Sequence, residues 1–181
     1  MIYRERSKTM PIKTERLLIR RVSEKDRESI KEIWEDFNSS EFSKYDRPHS
    51  TKDEEVAERI FRWAKTAGST EHMFFAVCLG ETVIGYIAFN KRENGYETGY
   101  CFHSKFHGKG FAKESFAALF EYLGTLGITK ITAGTALENK PSVALLKSLG
   151  FELSGTEKVS FYKDSEGNDI VFEGGIFELN M

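Results

Sequence analysis

Apolar residues recur two apart in some stretches of this chain and three or four apart in others, and the changes of period mark its elements. "RLLIRRV", Arg16 to Val22, alternates as a strand does. Ser23 follows as the cap of a helix that carries Ile30, Ile33, Trp34 and Phe37 on one face. "SSEFSKYDRPHST" has no period and is expected as a loop. From about Asp53 the helical spacing returns, with Val56, Ile60, Phe61 and Ala64 as its apolar face and Gly68 at its end. "MFFAVCL" and "TVIGYIAF", joined by Gly80 and Glu81, predict a β-hairpin, and Tyr96 to Phe102 predicts a further strand after the turn at Asn94 and Gly95. A helix with Phe111, Ala118, Leu119, Tyr122, Leu123 and Leu126 in its stripe leads to a strand at Ile128 to Gly134. "NKPSVALLKSLGF" reads as a short helix with Pro141 in its first turn and Gly150 at its C-terminal cap. Two last strands, around Val159 to Lys163 and Ile170 to Leu179, flank the turn "SEGN".

This is an α+β pattern of about seven strands and four helices, without repeat or linker, so residues 1–181 are expected to form one domain. At 181 residues the chain can bury one core and is short for two. A formal net charge of −2, with basic and acidic residues interleaved, gives no electrostatic reason to expect a nucleic-acid partner. The charged start "MIYRERSKTMPIKTERL" is no secretory signal, and no run approaches the roughly 18 apolar residues that span a bilayer. No membrane and a cytoplasmic location are expected. Cys78 and Cys101, both in strand-like apolar surroundings, are expected as buried free thiols.

The chemistry-bearing stretch is "HSKFHGKGFAKES", His103 to Ser115. Gly108-Lys109-Gly110 stands between a strand and a helix start, where glycines let the backbone turn its N–H groups toward a ligand. The helix beyond adds unpaired N–H groups and a positive dipole end, a combination that binds phosphate. The spacing is neither that of a P-loop nor that of a dinucleotide fingerprint, whose third glycine would fall on Lys113. Taken alone, "GKG" reads equally well as an ordinary turn. His103 and His107, four apart, have no supporting carboxylate or thiol at useful spacing except Cys101, so no metal is expected.

Its neighbours add weight. His107-Gly108-Lys109-Gly110-Phe111-Ala112 resembles motif A of the GNAT N-acetyltransferase superfamily, Gln/Arg-x-x-Gly-x-Gly/Ala, with His107 departing from the usual Gln or Arg. "NKPSVALLKSLGF" is similar to that superfamily's motif B, matching at Asn139, Ser142, Gly150 and Phe151. "TERLLIRRVSEKD" resembles the opening of its RimJ/RimL-like, ribosomal-protein branch. The resemblance implies a GNAT fold: a mixed, mostly antiparallel sheet flanked by helices and splayed between its fourth and fifth strands. Gly99 and Gly134 are compatible with that splay. It also implies acetyl-CoA as co-substrate. The pyrophosphate would rest on the N–H groups of Lys109 to Lys113, and the pantetheine would pair with Tyr100, Cys101, Phe102 and His103 and bond to Asn139.

Acetyl transfer to an amine needs a neutral nucleophile. An α-amine costs about 1 kcal/mol to deprotonate at pH 7 and a lysine roughly 4.6 kcal/mol, from their ordinary pKa values. By the resemblance, Glu97, ten residues before His107 and at a spacing similar to that of the base in histone-acetylating relatives, is the candidate base, although a solvated strand carboxylate reads as well. By the resemblance, Ser142 is the candidate proton donor, because Leu146 stands where many relatives have a tyrosine. A backbone N–H near Cys101 or Phe102 would polarise the carbonyl. Trp34, Phe42, Tyr45 and Tyr162 are candidate acceptor-pocket walls, each alone more readily explained as core packing. Asp46, Glu41 and Glu157 could offer negative charge to a cationic amine, and surface solvation explains them equally well. The expected function is direct transfer from acetyl-CoA to a primary amine, first of all a protein or peptide N-terminus. The alternatives are a small-molecule amine, or a non-catalytic acyl-CoA-binding module. A monomer or a homodimer is equally compatible.

Overall fold

The computed structural model describes residues 10–181; the charged stretch Met1 to Thr9 lies outside it. The described residues form eight strands and four α-helices. They are β1 (Ile12–Lys13), β2 (Leu18–Arg21), α1 (Arg27–Asn38), α2 (Asp53–Lys65), β3 (His72–Leu79), β4 (Thr82–Arg92), β5 (Gly95–Phe102), α3 (Phe111–Thr125), β6 (Lys130–Ala136), α4 (Lys140–Ser148), β7 (Glu152–Lys163) and β8 (Asp169–Asn180). One sheet takes all the strands in the order β1-β2-β3-β4-β5-β6-β8-β7. Every neighbouring pair is antiparallel except β5 and β6, which are joined through α3 and run parallel.

Two apolar layers cover the two faces of this sheet. On one, α3 and α4 bring Phe111, Phe116, Leu119, Leu123 and Leu146 against Phe75, Ile87, Phe89 and Ile131. On the other, α1 and α2 bring Ile30, Ile33, Trp34, Val56 and Ile60 against Ala76, Tyr86 and Cys101. The alternation of side chains along a strand therefore sends Tyr100 to the α3 layer and Cys101 to the α1 layer. Ser23 precedes a single 3-10 turn, Glu24–Asp26, which leads into α1. The buried Asp26 carboxylate accepts from the Ser23 N–H at 2.8 Å and from both outer nitrogens of Arg20, at 2.8 and 2.7 Å.

The mixed, mostly antiparallel sheet is the one expected, with eight strands where about seven were expected, because two-residue β1 is too short to show a period. Three further expectations are corrected. β7 begins at Glu152 rather than near Val159, because its first half is an exposed edge whose "ELSGTEK" carries no apolar alternation. On α2, Phe61 points outward, 42% exposed with the Lys65 ammonium over its ring, and Trp63 faces the sheet instead, stacked on Phe74. On α3, Leu126 is exposed at the C-terminal cap, and Phe116, which the expected stripe omits, is fully buried. Cys78 and Cys101 are buried free thiols. No helix of the described residues is long and apolar enough to cross a membrane.

Candidate active site

The sheet is zipped between β5 and β6 for only three pairs, Tyr96–Ile131, Glu97–Thr132 and Thr98–Ala133. Beyond them β5 stays with β4, from Gly99 opposite Ala88 to Phe102 opposite Gly85, and β6 stays with β8. The facing edges of Gly99–Phe102 and Gly134–Ala136 thus separate into a wedge. A bulge in β4 sits at the same level: Val77 faces Gly85 while Cys78 faces Val83, so Ile84 is an extra residue. Such an insertion bends a strand and increases its twist, which carries the end of β5 away from β6. Gly85 is required there because a Cβ would come within 2.3 Å of the Phe102 ring. At Gly99 and Gly134, both exposed, a Cβ would meet nothing within 4 Å, so the face of the sheet beside the wedge is open at those positions.

From the end of β5 the chain turns through His103 and the short 3-10 segment Ser104–Phe106 to α3. Asp36 of α1 anchors this turn, accepting from the Ser104 N–H at 2.7 Å and its hydroxyl at 2.6 Å. His107, unassigned by its departure from the motif, approaches the Phe102 carbonyl with Nε2 at 2.7 Å and so ties the turn back to the strand. Gly108 and Gly110 follow with φ of 71° and 79°, values that side-chain-bearing residues rarely adopt. Gly110 is the N-cap of α3 and offers no side chain to the first N–H groups of that helix. By contrast α4 is capped by Asn139, whose Oδ1 accepts from the Ser142 N–H at 3.2 Å.

Across the wedge, Tyr100 of β5 and Ser142 of α4 are joined hydroxyl to hydroxyl at 2.7 Å. Burial pushes the Tyr100 phenol up to about 12, opposed by its bond to Ser142. Cys101, on the opposite face of β5, is likewise pushed up to about 12, first by burial and then by the charges of Asp46 and Asp36. Glu97 lies in the zipped part of β5 and is 46% exposed at its side chain, its carboxylate 2.7 Å from Arg92 Nε and 2.6 Å from Nη2.

The candidate acceptor residues divide. Trp34 has no accessible surface and donates Nε1–H to the buried Tyr86 hydroxyl at 2.9 Å. It is core, and its visible partner is His49, stacked on it with ring centroids 5.4 Å apart. Phe42 and Tyr45 are half-buried on the loop between α1 and α2. That loop docks on the last hairpin, with Tyr45 edge-on to Phe172 and the Tyr162 hydroxyl donating to the Ser43 carbonyl at 3.3 Å. Sequence reasoning missed His49, Asp36 and Arg16. Arg16 forks onto Glu114 of α3 and donates to the Lys109 carbonyl at 2.9 Å. The first two are single polar residues in or beside an aperiodic loop, and only the fold reveals what they touch.

A parallel pair opened into a wedge, with a left-handed glycine turn leading into a helix at its mouth, is the architecture of a transferase that takes its acyl group from coenzyme A. The chain belongs to the GNAT acetyltransferases: the family model "Acetyltransferase (GNAT) domain" matches residues 16–152. It is 31% identical over 161 residues, 87% of this chain and 91% of the relative, to the uncharacterized N-acetyltransferase YnaD of Bacillus subtilis strain 168. Among solved structures, it superposes on the Salmonella typhimurium acetyltransferase that modifies the N-terminal serine of ribosomal protein L7/L12, with a TM-score of 0.79, 17% identity and coverage of 93% and 96%. The microcin C7 self-immunity acetyltransferase MccE, solved with acetyl-CoA and AMP, matches with a TM-score of 0.78, 16% identity and coverage of 94% and 96%. At those identities the two structures share the fold. The protein is an acetyl-CoA-dependent acetyltransferase.

Proposed function

We propose that this enzyme transfers acetyl from acetyl-CoA directly to a primary amine in a ternary complex, the amine being first of all the N-terminus of a protein or peptide. The wedge between Gly99–Phe102 and Gly134–Ala136 carries this reading, because it offers an unpaired strand edge to an extended amide-bearing arm. The left-handed turn at Gly108 and Gly110 puts the N–H groups of Lys109 to Lys113 at the helix end, where a pyrophosphate is favoured. Phe111, with its ring packed in the core, and Ala112 start that helix. Asn139 keeps its amide NH2 for the pantetheine while its oxygen caps α4. The likeness in fold to an L7/L12-modifying enzyme supports the acceptor class.

In this reading a backbone N–H of Cys101 or Phe102 faces the thioester oxygen as an oxyanion donor. The amine nitrogen bonds to the carbonyl carbon, the carbon–sulfur bond breaks, and the thiolate takes the Ser142 hydroxyl proton. Tyr100 donates to Ser142 in turn. For the proton leaving the amine, Glu97 acts through water. Asp46 is the second reading, favoured because its charge bears on both Cys101 and Tyr162, at the wedge and on the last hairpin.

The test is release of free coenzyme A over a panel of peptides with free N-termini, polyamines and aminoglycosides, with acetyl-CoA as donor. Turnover with peptides alone supports the acceptor reading; turnover with a small amine alone replaces it. Donor binding without turnover on any member favours a binding module. Comparing Glu97→Gln with Asp46→Asn separates the bases: the true base loses the rise of kcat/KM with pH, and the other keeps it.

A further inference from the structure

The stretch Thr14-Glu15-Arg16-Leu17, which straddles the start of the matched region, is far from the wedge in sequence and touches the turn before α3 in space. The Thr14 hydroxyl fixes the bend, accepting from the Leu17 N–H at 2.9 Å, and donates to Glu114. Arg16 adds its backbone N–H to the same carboxylate at 3.0 Å, with Nε and Nη2 both at 2.7 Å. Its guanidinium lies 4.5 Å above the Phe111 ring, and Nη1 donates to the Lys109 carbonyl at 2.9 Å. Five contacts of one arginine therefore converge on residues 109–114, the turn and first residues of α3.

The last contact has a stereochemical consequence. In a trans peptide the C=O and the following N–H point in opposite directions. Holding the Lys109 carbonyl toward Arg16 aims the Gly110 N–H away from it. Gly110 itself, at φ 79°, can flip its flanking peptides at little cost, so without a partner that orientation is not fixed. Glu114 creates a second need. A carboxylate in the first turn of a helix opposes any anion bound at the N-terminus, and the bidentate Arg16 cancels that charge in place.

We propose that Arg16, braced by Thr14 and Glu114, is a positioning residue for the coenzyme's pyrophosphate, acting through the Lys109–Gly110 peptide rather than by touching the phosphates. The proposal rests on the donor-site reading above. Three probes separate the two: acetyl-CoA, its 3′-dephospho form and acetyl-pantetheine, the last lacking the pyrophosphate. Affinities are measured by calorimetry on the full chain, with melting curves for each variant.

In Arg16→Met, affinity for acetyl-CoA and for the dephospho form falls about tenfold or more, while acetyl-pantetheine stays within about twofold. Arg16→Lys, which keeps the charge but loses the fork, falls between. Should Arg16→Met not fold, Arg16→Lys carries the same comparison. The Arg16→Met, Glu114→Gln double variant recovers only part of the loss, because the peptide is still unheld. Equal losses on all three probes would make Arg16 a fold brace and overturn the proposal. A loss confined to acetyl-CoA would make it a direct 3′-phosphate contact, and full recovery in the double variant would reduce it to charge balance; either overturns it. A wild-type enzyme that binds acetyl-pantetheine as well as acetyl-CoA would instead overturn the donor-site reading.

Discussion

Between Phe102 and Glu114 the side proposed for the donor is shaped by main chain: an open strand edge, a left-handed turn and the free end of a helix. Across the sheet the side proposed for the acceptor is shaped by side chains drawn from α1, the α1–α2 loop, β4 and the β7–β8 hairpin. The first can be written as a short motif, because glycines and a helix start suffice. The second needs two separate junctions, Trp34 with His49 and Tyr86, and Tyr162 with the Ser43 carbonyl, the latter made by residues more than a hundred positions apart in the chain. Its rings also hold the fold, so the same substitution that tests recognition can unfold the protein.

That overlap sets the largest expected effect. Trp34→Ala removes a fully buried indole and strands the Tyr86 hydroxyl, which should cost about 4 kcal/mol of stability. Denaturant unfolding measures it. A loss below about 1 kcal/mol, the range of an exposed site, would put Trp34 in a pocket wall instead of the core.

Gly110→Val is the converse, a large effect on binding with a small one on folding. The left-handed region costs a side-chain-bearing residue about 1–2 kcal/mol, and the space for a Cβ exists, 3.4 Å from Arg16 Nη2. The chain is expected to fold, with the turn re-routed and acetyl-CoA affinity down about a hundredfold through misdirected N–H groups. Unchanged affinity would move the pyrophosphate elsewhere.

The same contrast explains what was legible in the sequence. Gly108, Gly110, Asn139 and Gly150 sit where their types are demanded by backbone conformation or by capping, and those demands recur in any chain with this turn. β7's polar first half, the pairing of Glu97 with Arg92 and the Arg16–Glu114 fork depend on partners 5 to 98 residues away. No local period or spacing encodes them. His107 lies between the two cases: its position is in the motif, but its role, a bond to Phe102, appears only once the turn is closed.

Asp36 crosses the divide, since it belongs to an acceptor-side helix and anchors the donor turn. Burial works to raise its carboxyl, but the Ser104 hydroxyl and N–H outweigh that and hold it below the ordinary aspartate value. A depressed carboxyl contributes above its unfolded value and loses that contribution as the pH falls through its folded value. Asp36→Asn should weaken acetyl-CoA binding about tenfold or less at pH 7, the scale of one charge-assisted hydrogen bond. The wild type should approach the variant only below about pH 4. An unaltered affinity in the variant would show the turn to be held by His107 and Arg16 without Asp36.

The smallest effect concerns Cys101, whose backbone lies on the edge of the wedge while its thiol faces the α1 layer. Burial first, and then Asp46 and Asp36, push that thiol up to about 12. The folded state therefore favours the neutral form. Its contribution to stability is whole below the ordinary thiol value and drains away as the pH rises toward 12. At pH 8 the native thiol should resist alkylation and react only on unfolding, since the thiolate is the nucleophile. Asp46→Asn removes one of the two named charges and should leave Cys101 slightly more reactive, by less than about tenfold, because burial remains. Alkylation is read by intact mass with the coenzyme absent. Rapid labelling of the native wild type would mean that the α1–α2 loop opens over Cys101, and the acceptor side would then be defined by motion of that loop more than by its resting side chains.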